Sequence, residues 1–237
     1  MKISSVANRG RRLHRIPAAV HMIGRREFLL GAAAVPLAAA TPYLGAAPQD
    51  ALAFRILRNG SEIGSHALDF TARNDGFDVR IAVDIKVGLG PITLYRYRLR
   101  GVEQWRNGAV ASAEATTDDD GDKQTMRCQS RADGLWVEGS KTAPYRAPDG
   151  ALPASHWNIA ELHSPWISLE DGRLFRPVAK STGMDNLRQV DGTTTEAKRY
   201  VLSGDVHLEL WYDLERRWAS LAFTAHDGSS IRYERLS

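Results

Sequence analysis

The chain has 237 residues and one cysteine, Cys128. No intramolecular disulfide can form, which excludes a stapled mini-domain. It has no apolar run of the roughly 20 residues that a membrane-crossing helix needs. Standard signatures of nucleotide binding and of the α/β-hydrolase nucleophile are missing: there is no Gly-x-x-x-x-Gly-Lys-Ser/Thr and no Gly-x-Ser-x-Gly, and Gly88-Leu89-Gly90 lacks the third glycine of a dinucleotide loop. A basic excess is missing too, once its location is traced. The whole chain is formally +3, with an isoelectric point near 9.1. Residues 1–47, however, hold seven Lys or Arg against the single acid Glu27, leaving 24 basic and 27 acidic side chains in 48–237. That remainder is net −3, so binding nucleic acid by counterion release is excluded.

What the first 47 residues do have is the three-part layout of an export signal. A basic segment ends in Gly24-Arg25-Arg26-Glu27-Phe28-Leu29-Leu30; an Ala-rich, weakly apolar stretch covers 29–40; small residues recur at 38–40 and 44–47, where cleavage fits. Arg25, Arg26, Phe28 and Leu29 resemble the core of a twin-arginine signal, which implies the twin-arginine export machinery as a partner. Met22 stands three residues before the arginine pair and offers an alternative start. The expected organisation is a leader over 1–47 and a single exported β-domain over 48–237, periplasmic or extracellular after cleavage, without a transmembrane span.

The exported part is dense in turn signals. Asn-Gly or Asp-Gly occurs nine times, at 59–60, 75–76, 107–108, 120–121, 133–134, 149–150, 171–172, 191–192 and 227–228. These pairs tolerate the positive φ angles of type I′ hairpin turns. The runs between them alternate with period two. Phe77, Val79, Ile81, Val83, Ile85 and Val87 interleave with Asp78, Arg80, Ala82, Asp84 and Lys86. Val206, Leu208, Leu210 and Tyr212, then Ala219, Leu221, Phe223 and Ala225, repeat the pattern, the latter with Trp218 on the opposite parity. No amphipathic helix competes with it, apart from a short helical turn expected around 158–162. The fold class is therefore all-β, a strongly curved antiparallel meander or an incomplete up-and-down barrel. One stretch interrupts the rhythm: 143–177 carries five prolines and two tryptophans, too long for a turn and suited to covering or gating a site.

In chain order come Ile63-Gly64, Glu103-Gln104-Trp105, Asn107-Gly108, Ser155-His156-Trp157-Asn158, Trp211-Tyr212-Asp213 and His226-Asp227-Gly228. On these residues the chain resembles an uncharacterised family of exported bacterial β-proteins, the domain of unknown function 6134. The resemblance runs from about 53 to 236. It implies fold and compartment, and brings no activity or catalytic residues with it.

The candidate sites follow from residue chemistry. Arg96, Arg98 and Arg100 share a strand face and could clamp an anion. A two-residue turn at 107–108 puts Arg96 opposite Asp119, and a one-residue bulge near Gly101 puts Arg98 opposite Asp118. Either register makes the row a charge-paired, solvated face. Glu170 and Asp171 read as solvated turn acids. Cys128, in the run Thr125-Met126-Arg127-Cys128, reads as a small buried apolar residue. His156 and His163 suggest a metal-dependent enzyme, but their spacing matches no standard ligand pair and no acid nearby completes a set. The favoured reading is a non-enzymatic binder of a hydrophobic or amphipathic ligand, or of an envelope partner, on a concave sheet. Tyr95 and Tyr97 would form its wall, with His156 and Trp157 at the mouth. No catalytic residue, metal ligand or cofactor is assigned, and a structural envelope protein without a small-molecule site is the third reading.

Overall fold

Hairpins joined by tight turns build almost the whole molecule. The structure, a computed structural model, describes residues 51–89 and 92–236. Arg25, Arg26, Phe28 and Leu29 lie outside the described residues. Eight strands come first: β1 (Leu52–Arg58), β2 (Ser61–Arg73), β3 (Gly76–Leu89), β4 (Ile92–Arg106), β5 (Ala109–Asp119), β6 (Asp122–Arg131), β7 (Gly134–Gly139) and β8 (Thr142–Arg146). A non-meander segment follows, with β9 (Leu152–Pro153), a 3-10 turn (Ile159–His163), β10 (Trp166–Ile167) and β11 (Leu174–Phe175). The meander then resumes with β12 (Pro177–Arg188), β13 (Thr194–Gly204), β14 (Leu208–Asp213), β15 (Trp218–Thr224) and β16 (Ser230–Arg235). No described helix is long and apolar enough to cross a membrane.

The last strand pairs with the first, Ile56 opposite Tyr233, so the two runs fuse into one antiparallel sheet of 13 strands. Its free edges are β8 and β12, the strands on either side of the segment 147–176. The sheet is barrel-like and open at that seam. At three of the expected turns, 59–60, 107–108 and 120–121, both residues have positive φ, the geometry a type I′ turn demands.

One face of the curled sheet buries a continuous core. On β3, Phe77, Val79, Ile81, Val83 and Ile85 point into it, as their alternation implies. The same cluster takes in Tyr95, Tyr97, Leu99 and Trp105 from β4, Leu210 and Tyr212 from β14, and Trp157, Trp166, Ile167 and Phe175 from the segment 147–176. The segment is thus part of the core rather than a gate over it. Cys128 is buried, and that burial pushes its thiol up to about 12.

Trp218 corrects the expected parity on β15. Alternation puts it opposite Leu221, yet both are fully buried in the main core. A bulge explains this: Trp211 pairs with Ser220 and Tyr212 pairs with Trp218, leaving Ala219 as the extra residue and turning Trp218 inward. Its ring lies 4.2 Å from that of Phe54.

The seating of 147–176 is tight enough to require a glycine. A Cβ on Gly139, the last residue of β7, would lie 2.0 Å from the carbonyl oxygen of Asp171. Backbone blocks relief on that side. Gly139→Ala is expected to lower unfolding free energy by about 2 kcal/mol or more, in the upper range of overpacking effects, as read by urea denaturation. A loss under roughly 0.5 kcal/mol would mean that the two backbones do not meet there.

Candidate functional site

The concave face takes its chemistry from inward positions of β4. From Tyr95 onward the odd-numbered residues of this strand face the core, and one of them is an acid, Glu103, which is completely buried. Its Oε2 accepts two indole hydrogens, from Trp105 at 2.8 Å and from Trp157 at 3.1 Å. Trp157 sits edge-on to Phe70, Phe77 and Trp105, with centroids 5.5, 5.5 and 5.2 Å away. An aromatic box therefore closes around a carboxyl group that water does not reach.

A second buried acid lies one turn further along the segment. Glu161, in the 3-10 turn, accepts the backbone N–H of His156 at 2.9 Å through Oε1, while its Oε2 is 3.2 Å from His156 Nδ1. His156 has φ of +70°, a left-handed conformation that strains any residue with a Cβ. Several contacts hold it there: the bonds to Glu161, a 2.9 Å bond from the Tyr212 hydroxyl to its carbonyl, and the rings of Trp166 and Trp218 at 5.1 and 5.5 Å. Asn158 caps the 3-10 turn by accepting from the Ala160 N–H, so the expected helical turn forms where its cap stands.

Further down the segment the wall supplies hydroxyls. Tyr97 donates to Glu170 at 2.8 Å, and Tyr145 donates to the Gly172 carbonyl at 2.9 Å. Glu170 and Asp171 are consequently buried, correcting their reading as solvated turn acids. Asp171 is held by Arg173 at 2.7 Å.

All four residues proposed for ligand contact thus lie in the core, but they do not share one role. Tyr97, His156 and Trp157 hold the segment to the wall. Tyr95 turns its hydroxyl to Asp119 on β5, at 2.8 Å. His156 and His163 do not form a metal pair: His156 is buried against Glu161, and His163 is exposed at the end of the 3-10 turn. Glu161 is also the nearby acid that the sequence reading overlooked. Among the described residues no group of three or more His, Cys, Asp or Glu is placed to hold a metal. Ser155 and His156 both approach Glu161, at 3.5 and 3.2 Å, rather than forming a serine-to-histidine relay.

Outside the core, Arg98 lies opposite Asp118, the bulged register, though the bulge falls between Gln104 and Trp105. Arg98 and Arg100 both pair with Asp84, and all three are about half exposed, as a solvated charged face requires. A trough of about 870 Å³ on the outer side is bordered by Asp69, Arg80, Arg100, Glu114, Arg127 and Glu138, side chains of mixed sign on β2 to β7.

The chain belongs to the family described as Domain of unknown function (DUF6134), whose profile matches residues 54–236. No curated relative matches the sequence. Among solved structures the chain is similar to a β-barrel-like protein of domain of unknown function DUF1849 from Brucella abortus. The TM-score is 0.55 at 8% identity, over 79% of this chain and 95% of that one. The likeness establishes the barrel-like fold.

Burial sets the protonation of this interior. It pushes the Glu103 carboxyl up to about 7, against hydrogen bonds from Trp105, Ser155 and Trp157 that favour the anion; Glu161 adds to the rise. Burial also raises Glu161. His66 goes down to about 3, by burial first and by the neighbouring His156 second. The two shifts act on stability with opposite sign. Between pH 4.5 and 7 the unfolded chain has released a proton that folded Glu103 keeps, so stability falls as pH rises, by on the order of 3 kcal/mol in full. Below pH 6.5 the unfolded chain takes up a proton that folded His66 refuses, so the histidine's contribution is lost as pH falls toward 3. Glu103→Gln is expected to gain stability relative to the parent as pH rises from 5 to 7.5. A parent-to-variant difference that stays constant over that range would contradict a raised Glu103.

Proposed function

We propose that this protein is an exported, non-enzymatic binding module of the cell envelope, and that its concave face is built for an amphipathic occupant. The observation that carries this is the character of the segment already lying there. It presents Trp157, Trp166 and Phe175 to an apolar wall, and it offers Glu170 and two backbone carbonyls, of His156 and Gly172, to the hydroxyls of Tyr97, Tyr212 and Tyr145. Where the segment leaves the face uncovered, a wall of that kind suits a molecule with an apolar body and carbonyl or carboxylate acceptors, such as a lipid-like acid. Burying such a body contributes about 25 cal/mol per Å² of apolar surface.

Among the described residues, four inward polar atoms on this wall lack partners, two of them on Glu103 and His66. Thr117 Oγ1 and Gln124 Oε1 belong to residues directly opposite each other on β5 and β6, and both are buried. They add polar anchoring points to the lined face. Export by the twin-arginine route, from the Arg25-Arg26-x-Phe28-Leu29 pattern, accords with a protein that reaches the periplasm already folded around its occupant.

Native mass spectrometry tests this reading on protein recovered after expression in an export-competent host. The expected result is an adduct of lipid-like mass that leaves on denaturation and is reduced in Thr117→Val. A bare polypeptide mass in every preparation would overturn ligand binding and favour a purely structural envelope role. A metal-sized adduct would overturn it in favour of metal chemistry.

A further inference from the structure

The hairpin between β3 and β4 outgrows the sheet. β2 pairs with β3 only as far as Gly64 opposite Ile85, and β5 pairs with β4 only as far as Asp119 opposite Tyr97. A last bond, from the Asp120 N–H to the Arg96 carbonyl, closes that side. Beyond this level, among the described strands, β3 and β4 pair only with each other: Lys86 opposite Arg96, Val87 opposite Tyr95, Gly88 opposite Thr93 and Leu89 opposite Ile92. At roughly 3.3 Å per residue the two strands run on about 10 Å past Lys86 as an unflanked finger.

The finger is apolar where a solvated hairpin would be polar. Ile92 is 61% exposed and Leu94 41%. Leu94 is the extra residue of a bulge, since Val87 pairs with Tyr95 and Gly88 with Thr93, and bulges re-aim side chains in this way. At its base two cations, Lys86 and Arg96, stand directly opposite each other. Like charges so placed repel, and neither forms an ion pair with any described acid. The next two cations, Arg98 and Arg100, share the single carboxylate of Asp84. Of the neighbouring acids, Asp118 is paired with Lys123, while Asp119 accepts from the neutral Tyr95 hydroxyl and keeps its charge, so Asp119 and Asp120 are the opposing charges nearest the finger.

We infer that this finger docks the protein on an anionic lipid surface. Ile92 and Leu94 enter the boundary between headgroups and acyl chains, and Lys86 and Arg96 meet lipid phosphates. Exposed apolar residues above two cations that form no ion pair with a described acid are the combination that interfacial anchoring uses, at depths of about 5–10 Å. The inference concerns the outer surface and does not depend on what fills the concave face.

A fluorophore at the finger tests it site-specifically. Leu94→Cys can be labelled selectively in the full chain with an environment-sensitive dye, because Cys128 is buried. Leu214→Cys, at a position 72% exposed in the β14–β15 turn, serves as the control. With vesicles of equal phosphatidylglycerol and phosphatidylcholine, the dye at 94 is expected to shift to the blue and to be quenched by a lipid-borne quencher, while the dye at 214 is not. Lys86→Gln with Arg96→Gln should weaken the titration more than tenfold, taking roughly fivefold per lost cation. Asp120→Asn should strengthen it a few-fold. Because the leader is identical in all variants, binding through residues 1–47 cannot mimic these differences. Vesicle binding with the dye at 94 still in water, an equal response at 94 and 214, or no binding at all would overturn the proposal.

Discussion

A curled sheet has to cover its inner face, and in this chain the cover is its own segment 147–176. Every other feature depends on that constraint. The meander runs from one edge of the sheet to the other because β1 and β16 pair, which places the seam between β8 and β12, and the chain that connects those edges packs against the concave side. Apolar side chains alone would let such a segment slide. Directional bonds fix its position instead: the Trp157 indole on Glu103, two tyrosine hydroxyls on backbone carbonyls, and a third on Glu170.

Placing acids in that interior costs desolvation, which hydrogen bonds only partly offset. Glu103 takes up the difference as a raised pKa, and His66 as a lowered one. The hydrogen-bonded polar groups of this interior orient the segment against the wall. Ser155, His156 and Glu161 are neighbours, but both partners converge on one carboxylate without a path for proton transfer between them.

Much of the architecture was legible because hairpins are local objects. The Asn-Gly and Asp-Gly pairs located most of the turns, the period-two run over 77–87 located β3, and the cap at Asn158 located the 3-10 turn. Even Glu103 was accessible in principle, since it shares parity with Tyr95, Tyr97, Leu99 and Trp105. What the sequence could not give was set by tertiary contact. Trp218 turned inward through a bulge that no local pattern marks. Glu170 and Asp171 look like turn acids because they are in a turn; they are buried because Tyr97 and Arg173 reach them. The 143–177 stretch reads as a gate by its prolines and loop length, whereas the wall opposite it decides that it is a filling.

Hydrogen exchange of the native protein tests this central point most directly. The amides of Ala154, His156, Ser168 and Gly172 donate to Ile167, Glu161, Arg173 and Ser168 within the segment. If the segment is an integral filling of the sheet, these four amides exchange with protection comparable to the paired amides of β3 and β4. Rapid exchange at all four while β3 and β4 remain protected would contradict the account, and would make 147–176 a movable cover over an otherwise open face.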